Sequence, residues 1–252
     1  MIFYFSATGN SKHVAEGLLE EGEQLVPIAQ ALDKKQPSYR VSDERVGIVS
    51  PTYDWTLPSV VSEFLEGLTL QFDERPYLYY VATYGTTSGA AAAMANHIMG
   101  EKGLPFDACF DVKMPDTWTP IFDLSDPEQV QRTLEGSERE IGELKAQVRA
   151  KVTGRHMALI TPYFTGEIGR ALYNGITRNT SNLTVTDACV GCGLCARKCP
   201  VHAIKMENRR PVWVKKKCAM CLGCLHRCPK FAIQCGRSTS AHGQYVNPYT
   251  KI

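Results

Sequence analysis

Eight of the chain's ten cysteines fall into two runs of identical spacing, and thiolates so spaced are ligands for metal. Cys189, Cys192, Cys195 and Cys199 are followed by Pro200; 29 positions on, counting from 189 to 218, Cys218, Cys221, Cys224 and Cys228 are followed by Pro229. Three thiolates two residues apart can wrap one face of an iron–sulfur cubane from a tight loop, with a fourth arriving from elsewhere. Gly191, Gly193 and Gly223 are expected to let backbone approach sulfur closely or turn with positive φ. Zinc sites prefer paired C-x2-C knuckles to a triplet closed by Cys-Pro. Disulfides fit poorly with a chain that shows no export signal, Met1 being followed directly by Ile-Phe-Tyr-Phe. Cys109 and Cys235 stand outside both runs and read as buried or incidental thiols.

The doubled run resembles the C-x2-C-x2-C-x3-C-P signature of bacterial two-cluster ferredoxins, in which the last cysteine of each run ligates the other cluster. The resemblance implies one [4Fe-4S] cluster on Cys189, Cys192, Cys195 and Cys228. It implies a second on Cys218, Cys221, Cys224 and Cys199, both within a small α+β domain.

A second chemical stretch lies at the other end. Residues 2 to 5 are apolar, Ser6-Ala7-Thr8-Gly9-Asn10-Ser11 follows, and Val14, Ala15, Leu18 and Leu19 then recur at helical spacing. A strand, a hydroxyl-rich turn and a helix N-terminus can gather N–H and O–H donors on a phosphate. The Walker lysine and the G-x-G-x-x-G glycines are absent. Ser6 to Ser11 resembles the loop by which flavodoxins hold the FMN phosphate, and the rest of the half agrees. Gln24 to Ile28, Val46 to Val49, Tyr77 to Ala82 and the alternating Phe106 to Met114 read as further strands. Helices are expected over Pro58 to Leu68, Ser88 to Lys102 and Asp126 to Lys151.

Alternating strands and helices imply a doubly wound α/β fold with a five-stranded parallel sheet in the order 2-1-3-4-5, whose ligand site lies at the switch point; flavodoxin is the standard instance of that order. Two loops should then meet an isoalloxazine: Pro51, Thr52, Tyr53, Asp54 and Trp55 after the third strand, and Thr83, Tyr84 and Gly85 after the fourth. Trp55 and Tyr84 offer aromatic faces for stacking. Tyr53-Asp54-Trp55 departs from the pattern of many flavodoxins in lacking a glycine, and Trp118 stands in the loop after the fifth strand.

These stretches divide the chain into 1–152, flavodoxin-like; 153–186, an irregular connector with a short helix at Ala171 to Ile176; 187–237, ferredoxin-like; and 238–252, a tail either disordered or wrapped on the surface. Residues 1–150 carry 12 Lys+Arg against 23 Asp+Glu, a net of −11, while 151–252 carry 16 against 3, a net of +13. The opposite fields are expected to dock the two halves, or to meet redox partner proteins, rather than nucleic acid. No apolar run approaches the roughly 18 residues of a membrane span, so a cytoplasmic protein with no membrane insertion is expected.

The whole resembles the flavodoxin-ferredoxin fusion proteins of anaerobic bacteria and archaea. That resemblance implies FMN, two [4Fe-4S] clusters and low-potential electron transport to unidentified partners. No Ser/His/Asp arrangement, paired acids or nicotinamide fingerprint assigns a catalytic residue. An electron carrier is therefore the first reading, and an FMN-dependent reductase fed by the clusters is the alternative.

Overall fold

The computed structural model describes residues 1–252. In chain order the first unit comprises β1 (Ile2–Tyr4), α1 (Asn10–Leu18), β2 (Leu25–Pro27), α2 (Ile28–Asp33), β3 (Ser38–Arg40), β4 (Arg45–Pro51), α3 (Ser59–Gly67), β5 (Thr69–Gln71), β6 (Tyr77–Tyr84), α4 (Ala91–Gly100), β7 (Ala108–Lys113), α5 (Pro127–Arg149) and β8 (Gly154–His156). The main sheet runs β2-β1-β4-β6-β7-β8 with every neighbouring pair parallel. Burial on both faces explains the unbroken apolar runs of β4 and β6, because α2, α3 and α4 pack on one side and α1 and α5 on the other. α5 starts where Asp126 accepts from the N–H groups of Glu128 and Gln129, with Pro127 in its first turn.

The sheet has six strands where the sequence pattern implies five. The extra strand, β8, covers β7, which the alternating pattern placed at the edge. Gly154-Arg155-His156 is exposed and carries no apolar signal; it pairs because the turn after α5 delivers it to an open edge, where His156 also stacks on Phe110 at 5.3 Å. β3 and β5 form a separate parallel pair beside the sheet.

The connector holds more structure than its composition suggests. A helix, α6 (Tyr163–Leu172), begins after Pro162 and runs on into a wider turn over Tyr173–Thr177. Its glycines look like linker residues and are instead points of close packing. A Cβ on Gly169 would stand 2.7 Å from the Asp54 carbonyl oxygen, and one on Gly166 would meet Met94 and Ala90 at 2.7 and 2.8 Å.

The cysteine-rich unit comprises β9 (Leu183–Val185), α7 (Leu194–Arg197), β10 (Ile204–Glu207), β11 (Arg210–Trp213), α8 (Gly223–His226) and β12 (Ile233–Cys235), followed by α9 (Thr239–His242) in the tail. β10 pairs antiparallel with β11, and β12 with β9. The 29-residue repeat of the sequence is thus a structural repeat, since α7 and β10 recur as α8 and β12 at that same offset. The tail is wrapped on the first unit, with Tyr245 and Asn247 buried.

Gly169 and Gly175 give opposite expectations for the same substitution. Alanine normally gains about 0.5–1 kcal/mol over glycine in a helix, but overpacking against backbone costs about 1–3 kcal/mol. Gly169→Ala should therefore lower the urea midpoint, while Gly175→Ala, with nothing within 4 Å of the new methyl, should leave it unchanged or raise it.

Candidate cofactor sites

The C-terminal ends of β1, β4, β6 and β7 open onto one cleft of about 220 Å³. Every flavin-site residue named from the sequence lines it except Gly9: Ser6, Ala7, Thr8, Asn10 and Ser11, Pro51 to Trp55, and Thr83 to Gly85. Gly9, at φ +103°, turns the chain into α1 and faces away, toward Asn247 of the tail. Trp118 also lines the cleft. The N–H groups of the first turn of α1 have no intrahelical partners and face the same end as the buried Thr8. Ser6 Oγ accepts from Gly9 N–H at 3.1 Å, and Ser11 and Thr83 share a hydrogen bond of 2.7 Å that ties this loop to β6. Asn10 does not offer its side chain: Nδ2 donates to the Pro115 carbonyl, and Oδ1 accepts from Tyr245 and Asn247.

The loop after β4 is a tight reversal. Tyr53 and Thr56 exchange both backbone hydrogen bonds, at 3.1 and 2.9 Å, and the two residues between them, Asp54 and Trp55, both have positive φ, 47° and 61°. Each such residue costs about 1–2 kcal/mol, so the turn needs outside support. Ala90 N–H donates to the Trp55 carbonyl, the Thr177 hydroxyl donates to the Asp54 carboxylate, and Gly169 lies against the Asp54 carbonyl. Trp55 is left at the rim, 58% exposed. Across the cleft, Asp116 accepts from Thr86 and from Trp118 N–H, and burial pushes its carboxyl up. Only a glycine fits at 85, because a Cβ there would stand 2.2 Å from that of Asp116. Burial also pushes the Tyr84 phenol up to about 12, keeping it neutral.

The eight run cysteines divide between two further pockets. Cys199 lines one with Cys218, Cys221 and Cys224; Cys228 lines the other with Cys189, Cys192 and Cys195. Burial pushes the Cys218 thiol up to about 12, and raises Cys195, Cys221 and Cys224. Thiols gathered in one pocket ionise together only around a multivalent cationic centre. Both donor sets are thiols, with no histidine lining either pocket, which suits iron–sulfur chemistry. Ala203 N–H donates to Cys199 Sγ and Ala232 N–H to Cys228 Sγ, both at 3.3 Å, as the repeat requires; Met220 N–H donates to Cys218 Sγ at 3.2 Å.

The three glycines divide between the two expected uses. Gly191 and Gly193 turn with φ of 71° and 72°, whereas Gly223, the first residue of α8, brings its backbone to the Cys221 thiol. Its run instead bends at Met220 and Leu222, with φ of 46° and 51°, the positions equivalent to 191 and 193. Both side chains line the flavin cleft, and Cys221 between them lines the cleft and the second-run pocket alike. Met and Leu where the first run has two glycines were the available signal for this wall. Tyr173 and Thr177 also line the cleft, and nothing in the connector's composition announced them.

Gly191→Ala should destabilise the holoprotein by at least the 1–2 kcal/mol of a left-handed alanine, since its methyl would also meet the Arg209 carbonyl oxygen at 2.7 Å. Gly223→Ala meets only the mobile end of Arg227 and should move the thermal midpoint little.

Residues 1–138 match a family model described as a flavodoxin domain, and residues 182–229 match one described as a 4Fe-4S dicluster domain. No curated protein matches. Among solved structures, the Trp repressor binding protein from Bacillus subtilis shares 11% identity over 55% of this chain and 96% of its own, with a TM-score of 0.35. Rubredoxin oxygen:oxidoreductase from Desulfovibrio gigas shares 20% over 57% of this chain and 36% of its own, with a TM-score of 0.32. The chain belongs to the flavodoxin-domain family and carries a 4Fe-4S dicluster ferredoxin domain behind that flavodoxin domain.

Proposed function

We propose that the chain is an electron-transfer protein holding FMN in the cleft and one [4Fe-4S] cluster in each cysteine pocket, with electrons passing between the second-run cluster and the flavin. The observation that carries this reading is Cys221, a wall of both sites. When bound, the clusters supply one-electron steps and the flavin one- or two-electron storage. Cys199 and Cys218 accept N–H bonds at sulfur, which stabilises added negative charge. Cys192 is exposed, so the first-run pocket is the one within reach of a redox partner. Arg197 donates to the Cys192 carbonyl at 2.8 Å, and Arg209 lies against Gly191; this basic rim suits an acidic redox protein.

The route inside the molecule rests on packing, which revises the expectation that opposite charges dock the halves. Ala219 and Cys221 pack into the core of the flavodoxin unit, and Tyr53 and Trp118 pack against that of the cysteine-rich unit. One ion pair, His202 with Asp33 at 2.6 Å, joins the halves, and it is exposed.

Anaerobically prepared protein should contain about eight iron and eight sulfide with one flavin. Cys199→Ala should remove the cluster shared with Cys218, Cys221 and Cys224 and slow flavin reduction; loss of the other cluster alone would overturn the crossed ligand set. In stopped-flow, the rate at which reduced clusters reduce the flavin should be independent of protein concentration. It should also be insensitive to salt, because screening acts on exposed charges. A rate proportional to concentration would sink the internal route. Thr8→Val should weaken FMN by about tenfold, one hydrogen bond to a charged group being worth about 1.5–3 kcal/mol, and leave riboflavin unchanged.

A further inference from the structure

The tail lies along the flavodoxin unit from Leu124, whose N–H donates to the His242 carbonyl at 2.9 Å, to Lys12, which donates to the Lys251 carbonyl, and at the phosphate loop it makes contact through buried polar groups. Asn247, 1% exposed, donates its N–H to the Thr8 carbonyl at 2.8 Å and its Nδ2 to Asn10 Oδ1 at 3.1 Å. The Tyr245 hydroxyl donates to the same Oδ1 at 2.7 Å. Gly9 admits this approach, since a Cβ there would stand 2.8 Å from the Asn247 Cβ. Asn10 is thereby fastened on both sides, to the tail by Oδ1 and to Pro115 by Nδ2.

The other end of this segment is fixed to the second cysteine run. Gln244 Nε2 donates to the carbonyls of Leu225 and Cys228 at 2.6 and 2.9 Å, and Tyr245 N–H donates to His226 Nδ1 at 3.2 Å. His226 Nε2 in turn donates to the Thr117 carbonyl of the flavin cleft at 2.9 Å. A continuous hydrogen-bonded path runs from α8 through the tail to the start of α1.

We propose that Tyr245 and Asn247 are positioning residues of the flavin-phosphate site, and that Gln244 makes retention of the flavin depend on the folded second cysteine run. The inference rests on the FMN reading above. Neither Tyr245 nor Asn247 lines the cleft; they act through Asn10 and Thr8, setting the first-turn N–H groups of α1 on the phosphate. A tail that merely packed on the surface would affect stability without distinguishing a phosphorylated flavin from an unphosphorylated one.

The test uses the full chain with its clusters in place and the flavin removed, and titrates FMN and riboflavin separately by quenching of flavin fluorescence, with cluster absorbance recorded on each sample. Wild type must bind FMN more tightly than riboflavin; if it does not, the phosphate-site reading itself fails, whatever the variants do. Tyr245→Phe removes one hydrogen bond and should weaken FMN several-fold, while Asn247→Asp, which sets a carboxylate beside the loop, should weaken it about tenfold or more. Both should leave riboflavin affinity and cluster absorbance unchanged. Unchanged FMN affinity, or an equal loss for both flavins, would overturn the positioning role. Gln244→Ala removes two of the three hydrogen bonds that hold the tail to the second cysteine run, without touching the loop, and should speed FMN release; an unaltered release rate would overturn the link to the cysteine run.

Discussion

The short segment from Ala219 to Leu222 is the seam on which both halves of the molecule depend. Ala219 is buried in the core of the flavodoxin unit, Cys221 faces two sites, and Met220 and Leu222 form cleft wall from left-handed backbone. The conformation costs about 1–2 kcal/mol at each of the two residues, and burial of a large apolar side chain returns about 1.5–3 kcal/mol, so packing outweighs strain. Bonds to the connector hold the segment from behind. The Tyr173 hydroxyl donates to the Ala219 carbonyl at 2.5 Å, and Arg178 and Cys218 are joined through their backbones and the Arg178 guanidinium.

Seen from this seam, the connector and the tail serve one purpose from opposite sides. α6 buttresses the strained turn at Asp54 and Trp55, while the wrapped tail buttresses the phosphate loop. The net −11 and +13 of the two parts of the chain play little part in the contact. An exposed ion pair such as Asp33 with His202 contributes little.

What could be read in the sequence was what local chemistry dictates. Cysteine spacing is set by the group the thiols surround, and the loops at Ser6, Pro51 and Thr83 follow from strands with unmistakable apolar runs. The parts that escaped are those fixed by distant residues. Gly166 and Gly169 resemble linker glycines unless Met94 and Asp54 are known to lie against them. Gly154 to His156 pairs only because an edge is open beside it. Tyr245 and Asn247 carry no periodicity, and their partners stand more than two hundred residues away at Asn10. The strong charge asymmetry pointed to an ionic seam, whereas Met220 and Leu222, in place of the first run's glycines, marked an apolar one.

The seam also limits how such a molecule can be rearranged. A ferredoxin domain borrowed from elsewhere would bring its cysteines but not Met220 and Leu222 in the flavin wall, nor Gln244 to Asn247 for the phosphate loop. Split at the connector, each half would expose apolar surface about Tyr53, Trp118, Ala219 and Val201 that the other now covers. The two domains have thus ceased to be interchangeable modules, and changes on one side of Cys221 constrain which changes the other side can accept.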